Sequence, residues 1–503
     1  SLKKGSAQIV YSIIKRSSFI RAREMYGHVI TSAFTVGFGG SLGLESPMVS
    51  TGAAIGSNYG KTFGLSYKDR TILLGCGAAA GIAAAFNSPI AGVLFAVEVL
   101  LTEVATTTAF IPLIISAATG ALLSKIILEE GVTMTFSLQQ PFNSDNVPYY
   151  ILLGVFCGLT SLVYSKTFHF IETRFKKIGN RWVKAVGGGL LLFVLISLMP
   201  PLFGEGYDSV KMLESSNPEQ LTDGSIVAYL VTDEASLLFF IGALILFKII
   251  AAAITIGSGG NGGSFAPSLV VGAYLGFLFS RLVNVLGVTH LPQSNFTLVA
   301  MAGILSGVFY APLTAIFLIA EVTGGYGLMI PLMIVSSLSL IIVHLFEPIS
   351  AEAKKLSLML RSSVETRDKL LLSRLDLSDL VETNFSIVPQ EVKLRDLVRI
   401  ISSSSRNIFP VVDRELKLIG IIHLDKIRGI MFDTSRYDTM TVRELMMKPE
   451  AVVELEENLH EVLSKFDSAN QWNLPVVKNG TYLGFLSKSS ILTRYRKELM
   501  EFS

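Results

Sequence analysis

Seven weakly charged runs dominate the first 350 residues: 71–101, 109–128, 149–164, 186–203, 237–256, 296–320 and 329–346. Several are long enough to cross a bilayer core of about 30 Å as a helix. Many are interrupted by glycine or proline, and the stretch GSGGNGG at 257–263 cannot be regular helix. Irregular backbone at membrane depth survives only where it is buried in protein or lines a cavity. The pattern therefore predicts an α-helical multi-pass membrane protein with broken helices, of the kind that forms a pore or transporter. Composition agrees: half of the 503 residues are hydrophobic, 16% are charged, and the mean hydropathy is +0.54.

After Glu347 charged residues become frequent and the pattern turns to short strand-like and helix-like pieces. We divide the chain into a membrane part at 1–350, a linker at 351–376 and a soluble part at 377–503. Lys354, Lys355, Arg361, Arg367, Lys369 and Arg374 favour the cytoplasmic side for the segment beyond the last apolar run. A net charge of +2 gives no case for nucleic acid. Cys76 and Cys157 lie within apolar runs, so no disulfide framework is indicated, and no signal peptide is evident.

The membrane part repeats itself. GLESPMVSTGAAIG (43–56) aligns without gaps on GSFAPSLVVGAYLG (263–276), matching Pro47 to Pro267, Gly52 to Gly272 and Gly56 to Gly276. PIAGVLFAVEV (89–99) aligns on PLTAIFLIAEV (312–322), matching Pro89 to Pro312 and Glu98 to Glu321. Glycines, prolines and a glutamate carry the register, so shared hydrophobicity does not explain it. The membrane part is thus read as two homologous halves, and in transporters such halves commonly have opposite topology, with the substrate site at their interface. In each half a glycine-rich turn leads through a proline into an apolar helix. Free N–H groups of such first turns bind anions without a cationic side chain. Partial charges also release an anion more readily than full ones.

Residues Gly43-Leu44-Glu45-Ser46-Pro47 resemble the G-(K/R)-E-G-P motif of the CLC family of chloride channels and proton-coupled chloride transporters. Gly263-Ser264-Phe265-Ala266-Pro267 resembles its G-x-F-x-P motif, and the run GAAAGIAAAFNSPIAGVLFAVEV (77–99) is similar throughout. The resemblance covers about 1–350. It implies a homodimer with one anion pathway per subunit, two inverted-topology repeats, and chloride as the transported ion. Carried over by position, Glu45 is the gate, the backbone around Ser46 serves an outer anion site, and the amides of Ser264 and Phe265 serve a central one, with Gly263 counted among the anion-binding residues. An inner proton glutamate would directly follow Glu98, but Val99 stands there, as in passive members of the family. Lys4 takes the place of a serine facing the central anion, or Ser6 does if the register slips. The inner tyrosine is replaced by Ser350 or, with a two-residue shift, Glu352. The family has one or two helices before its first motif, so the chain is expected to lack its natural beginning.

The soluble part holds two copies of one pattern, NIFPVVDRELKLIGIIHLDKI (407–427) and NLPVVKNGTYLGFLSKSSI (473–491): an apolar strand with Pro-Val-Val, a turn, a second strand through a glycine, and a helix start. It resembles a tandem pair of α/β CBS domains, at about 377–435 and 440–503. Such pairs often bind adenine nucleotides, which would implicate His423, Asp425 and Ser487, although Ser490 stands where the ribose-binding aspartate is expected. A dimerising or stabilising domain is the plainer reading.

A passive, gated chloride channel in the plasma (inner) membrane, with a cytoplasmic CBS pair, is the expected function. A chloride/proton antiporter with an atypical proton route and a nontransporting CBS-bearing receptor are the alternatives. The plain reading of Glu45 is a structural carboxylate at a helix start, and Glu98 and Glu321, recurring in both halves, read as fold-maintaining. Phe265 reads equally as packing or pore lining. No nucleophile-and-base set, P-loop or metal-ligand spacing points to an enzyme, cofactor or metal, and His344 and His423 read as structural.

Overall fold

The computed structural model describes residues 5–15, 17–101, 107–128, 136, 140–214, 218–360 and 376–501. The chain divides into two compact units, Ser1–Arg361 and Ser362–Ser503.

The helices of the first unit are α1 (Ser6–Lys15), α2 (Glu24–Gly37), α3 (Glu45–Thr62), α4 (Tyr67–Phe86), α5 (Pro89–Phe95), α6 (Thr107–Leu128), α7 (Val147–Lys176) and α8 (Arg181–Leu198), then α9 (Tyr207–Glu214), α10 (Glu234–Ser258), α11 (Phe265–Val285), α12 (Gln293–Phe309), α13 (Pro312–Val322), α14 (Met329–Phe346) and α15 (Ala351–Leu360). Among the described residues, seven of them are long and apolar enough to cross a membrane: α4, α6, α7, α8, α10, α11 and α14.

The apolar runs 71–101 and 296–320 each break at one point, for the same local reason. Asn87 and Tyr310 take left-handed conformations, φ 52° and 59°, that stop α4 and α12. Two residues on, Pro89 and Pro312 restart the chain as α5 and α13, where a missing N–H is harmless. The α5 helix continues into a single π turn, Ala96–Leu100, which carries Glu98 and Val99.

Repeat-matched glycines set the packing in both halves. A Cβ on Gly52 would lie 2.0 Å from the Gly77 carbonyl of α4, and one on Gly272 would lie 2.6 Å from the Met301 Cα of α12. Bare glycine faces let α3 lie on α4 and α11 on α12 at backbone contact.

Reciprocal contacts relate the halves by a local two-fold. Gly43 and Gly263 exchange N–H···O bonds of 3.0 and 2.9 Å. Ser41 N donates to Thr255 Oγ1 (3.2 Å) while Asn261 N donates to Thr35 Oγ1 (3.0 Å). Glu98 accepts from the Leu313 and Thr314 amides at the start of α13, at 3.0 and 2.8 Å. Glu321 accepts from the Ile90 and Ala91 amides at the start of α5, at 3.0 and 2.9 Å. Each glutamate thus caps a helix of the opposite half. The fold is two inverted repeats with broken helices.

The second unit holds two copies of one small sheet. In the first, β1 (Val388–Pro389) runs parallel to β2 (Ile408–Val412), which pairs antiparallel with β3 (Leu418–His423). In the second, β4 (Val453–Glu454), β5 (Asn473–Lys478) and β6 (Thr481–Ser487) repeat this order. The irregularity falls at Val411/Val412 in one copy and Val476/Val477 in the other. The copies join through Leu418 N to Gly480 O (3.2 Å) and Tyr482 N to Leu416 O (2.9 Å), over a shared core that includes Phe385, Ile408 and Phe485.

Candidate functional site

Helices α3 and α11 both begin immediately after the Gly43–Gly263 bridge, with Leu44 and Ser264 as the capping residues. Two helix N-termini, one from each half, therefore meet at one place. Their unpaired amides and aligned dipoles favour negative charge there.

That place holds the Glu45 carboxylate, which is 3% exposed. The Tyr207 hydroxyl, at the start of α9, donates to Glu45 Oε1. Glu45 Oε2 is buried and finds no hydrogen-bond partner among the described residues. The side chain folds back over Gly43: a Cβ on that glycine would sit 1.9 Å from Oε2 and 2.7 Å from the Ala266 Cβ of α11. The glycine is needed because the carboxylate takes the volume a side chain would fill. On the other strand of the bridge, a Cβ on Gly263 would lie 2.4 Å from the Ser46 Cβ. Glu45, Ser46, Gly263, Ser264 and Phe265 are thus brought to one point.

Phe265 is buried among aromatic rings, with centroids 5.6 Å from Phe86, 6.2 Å from Phe95 and 5.4 Å from Phe309. Phe86 in turn meets Tyr207 at 6.4 Å. Low-polarity walls of this kind strengthen whatever charge interaction occurs at the helix starts. The Ser264 carbonyl is occupied, accepting from the Tyr164 hydroxyl of α7 at 3.2 Å.

Three further residues converge that the motifs do not include. Glu205 Oε1 accepts from the Leu44 amide at 3.0 Å. Lys248, on α10, is fully buried and donates to the carbonyls of Gly204 (3.0 Å) and Leu202 (3.4 Å). Tyr207, the third, holds Glu45 through its hydroxyl. Signals for them exist in the sequence: GEGYD at 204–208 sets a carboxylate between glycines, and Lys248 is the sole charge in the run 237–256.

The remaining predicted positions lie elsewhere. Val99 is half-buried in the π turn, packed on the apolar core. Lys4 lies outside the described residues. The Ser350 hydroxyl accepts from Ala353 N (3.1 Å) and so starts α15. Glu352 Oε2 accepts from Ser6 Oγ (3.0 Å) and Ala7 N (2.9 Å), so a carboxylate caps α1. In the second unit His423 ends β3, half-buried, Asp425 pairs with Arg428 at 3.2 Å, and Ser487 donates to Glu382 at 2.8 Å. Glu382 is also paired with Arg406, at 2.8 Å.

The sequence profile of the family described as "Voltage gated chloride channel" matches residues 3–344. The chain belongs to the voltage-gated chloride channel family. The CBS domain profile matches residues 377–433 and 442–497, so this family member carries a C-terminal CBS pair. It is 31% identical over 331 residues to "Chloride channel protein CLC-e" of Arabidopsis thaliana, a match covering 60% of this chain and 44% of that one. It is 30% identical over 318 residues to "H(+)/Cl(-) exchange transporter ClcA" of Vibrio parahaemolyticus, covering 62% and 64%. This member of the family therefore spans less than two-thirds of either relative's length. Among solved structures, a slow cyanobacterial Cl-/H+ antiporter superposes with a TM-score of 0.60 at 20% identity, covering 72% of this chain and 82% of that one. A eukaryotic CLC transporter covers 96% and 88%, with a TM-score of 0.52 at 15% identity. These likenesses establish the shared fold.

Proposed function

We propose that the chain is the subunit of a homodimeric anion pathway, with chloride as the transported ion and Glu45 as its gate. The observation that carries this reading is the seat of the Glu45 carboxylate between the N-termini of α3 and α11, with Oε2 buried and unpartnered among the described residues. A carboxylate there takes the position an anion would take, and a swing outward or protonation vacates it. The amides near Ser46 form the outer part of the site and those of Ser264 and Phe265 the central part; the Gly263 amide, expected there from the motif, is instead committed to the Gly43 carbonyl in the bridge between the halves. The family's transport role and the printed names of the relatives supply chloride as the substrate class.

Passive flow is the reading we favour, because Val99 offers no titratable group beside Glu98 for an inner proton step. Similarity to proteins named as H+/Cl- exchangers supports a second reading, exchange by a route that bypasses Val99. The basic residues after α14 favour an inner-membrane orientation with the CBS pair in the cytoplasm, where it serves dimerisation or regulation.

Reconstitution into liposomes tests both readings. A chloride gradient should drive chloride efflux and no uphill proton movement, and Glu45→Gln should raise efflux at neutral pH. Uphill proton movement would select the exchanger. Equal efflux from wild type and Glu45→Gln at every pH would remove Glu45 from the gate.

A further inference from the structure

Glu205 has no place in the motif that names the gate, yet it lines the same cavity as Glu45 and holds the residue before it. Its Oε1 holds the Leu44 amide, the last donor before α3 begins, at 3.0 Å. Glu45, Glu205, Tyr207, Leu44 and Phe86 line one cavity of about 20 Å³, room for roughly one water. The turn bearing Glu205 is shaped for the purpose: Gly204 and Gly206 on either side have φ of 57° and 93°, in the left-handed region that favours glycine. Behind it stands Lys248, whose Nζ would be 3.0 Å from a Cβ on Gly206.

The charges in this pocket do not balance when all are ionised. Glu45 from α3 and Glu205 from the 204–206 turn line the cavity with Tyr207 of α9, while Lys248 from α10 and Asp208 from α9 act on Glu205. Two acidic groups share one small cavity, and the single lysine behind the 204–206 turn leaves that pocket short of positive charge. Each also takes something an incoming anion needs: Glu205 takes the Leu44 amide, and Glu45 fills the space beside it.

Building on the gate reading of Glu45, we infer that Glu205 is a second carboxylate of the outer gate, so that the outer site opens only when both acidic groups give up their hold on the start of α3. Tyr207 joins the two, and Lys248 sets the charge the pair works against. The ligand admitted is the same small anion.

The test uses the full chain in liposomes, with chloride efflux followed from pH 8 to pH 4 for wild type, Glu205→Gln, Glu45→Gln and the double variant. Glutamine is uncharged and accepts from the Leu44 amide more weakly than a carboxylate, so Glu205→Gln should release it readily and still conduct. Without the neighbouring negative charge, its acid activation should shift at least one pH unit downward and become shallower, and the double variant should conduct at all pH values. Glu205→Asp, which keeps the charge and shortens the reach, should hold the wild-type midpoint within a few tenths of a unit while raising neutral-pH efflux. A Glu205→Gln profile superimposable on wild type overturns the inference, as does a normally assembled Glu205→Gln protein with no efflux. Where Glu205→Gln fails to assemble, Glu205→Asp decides: unchanged efflux at neutral pH overturns it. Glu45→Gln matching wild type at every pH is a separate outcome, in which the gate reading itself fails.

Discussion

Gly43 and Gly263 lie directly opposite one another and exchange both of their backbone hydrogen bonds. Each glycine makes room for a side chain of the same motif pair: Gly43 for the Glu45 carboxylate, Gly263 for Ser46. The two halves therefore touch at a point where backbone geometry and gate geometry are one problem.

Gly43→Ala places a methyl 1.9 Å from Glu45 Oε2, the far end of a flexible side chain, and 2.7 Å from the Ala266 Cβ. The carboxylate should be expelled more easily than the backbone moves. Chloride efflux at neutral pH should rise several-fold and lose most of its pH dependence, while the variant elutes on gel filtration like wild type.

Tyr207→Phe removes the hydroxyl that donates to Glu45 Oε1. A hydrogen bond to a charged group contributes about 1.5–3 kcal/mol, or roughly a 10- to 150-fold change in the equilibrium it supports. Efflux through the closed-state protein at neutral pH should rise by at least about tenfold, measured against Glu45→Gln as the fully open reference.

Glu98→Ala leaves the Leu313 and Thr314 amides without their acceptor, and Glu321→Ala does the same to Ile90 and Ala91. Thr314 and Ala91 are buried while Leu313 and Ile90 are exposed, so each variant leaves one buried donor unpaired, at a cost of about 1–3 kcal/mol. Both variants should melt several degrees lower in detergent, by similar amounts, with chloride-to-nitrate selectivity unchanged. Altered selectivity without loss of stability would give these glutamates a role in the pathway instead.

Glu352→Ala should fray the first turn of α1, because Ser6 Oγ and Ala7 N both lose their partner. Hydrogen exchange at residues 7–9 should accelerate about tenfold, with α7 unaffected. Equal exchange in the two proteins would show that α1 starts without this cap.

Burial holds the His423 imidazole below its ordinary value of 6.5, outweighing the carboxylates of Asp425 and Glu450 nearby. As pH falls through 6.5 the unfolded chain takes up this proton first, so the stabilisation is complete above pH 6.5 and is lost below it. Protection of β3 amides in the full chain, corrected for intrinsic exchange rates, should decline from pH 7 to pH 5.5. His423→Leu should flatten that decline.

Much of the fold was legible because its signals are local or repeated. Apolar runs of bilayer length, the Pro89 and Pro312 restarts, and the glycines of 43–56 and 263–276 each impose a backbone constraint that sequence displays directly. The CBS pair was legible for the same reason, as two copies of one strand-turn-strand pattern. What sequence did not display was the meeting of distant parts. Glu205 is 160 residues from Glu45, and nothing in GEGYD says that its carboxylate will take the Leu44 amide. Glu352 was visible as an out-of-register acid after α14, and only folding shows that it caps α1.

Sequence by itself determined that this chain is a two-fold repeated membrane protein with a glutamate, two residues after a glycine, at one helix start. That much rests on hydropathy, glycine and proline, whose effects act within a few residues. Tertiary structure alone decided what the glutamate faces: the second half's α11, the Tyr207 hydroxyl, and a pocket shared with Glu205 beside Lys248. Those contacts depend on helices packed from segments up to about 220 residues apart, and a buried carboxylate takes its properties from the charges and donors folding brings around it.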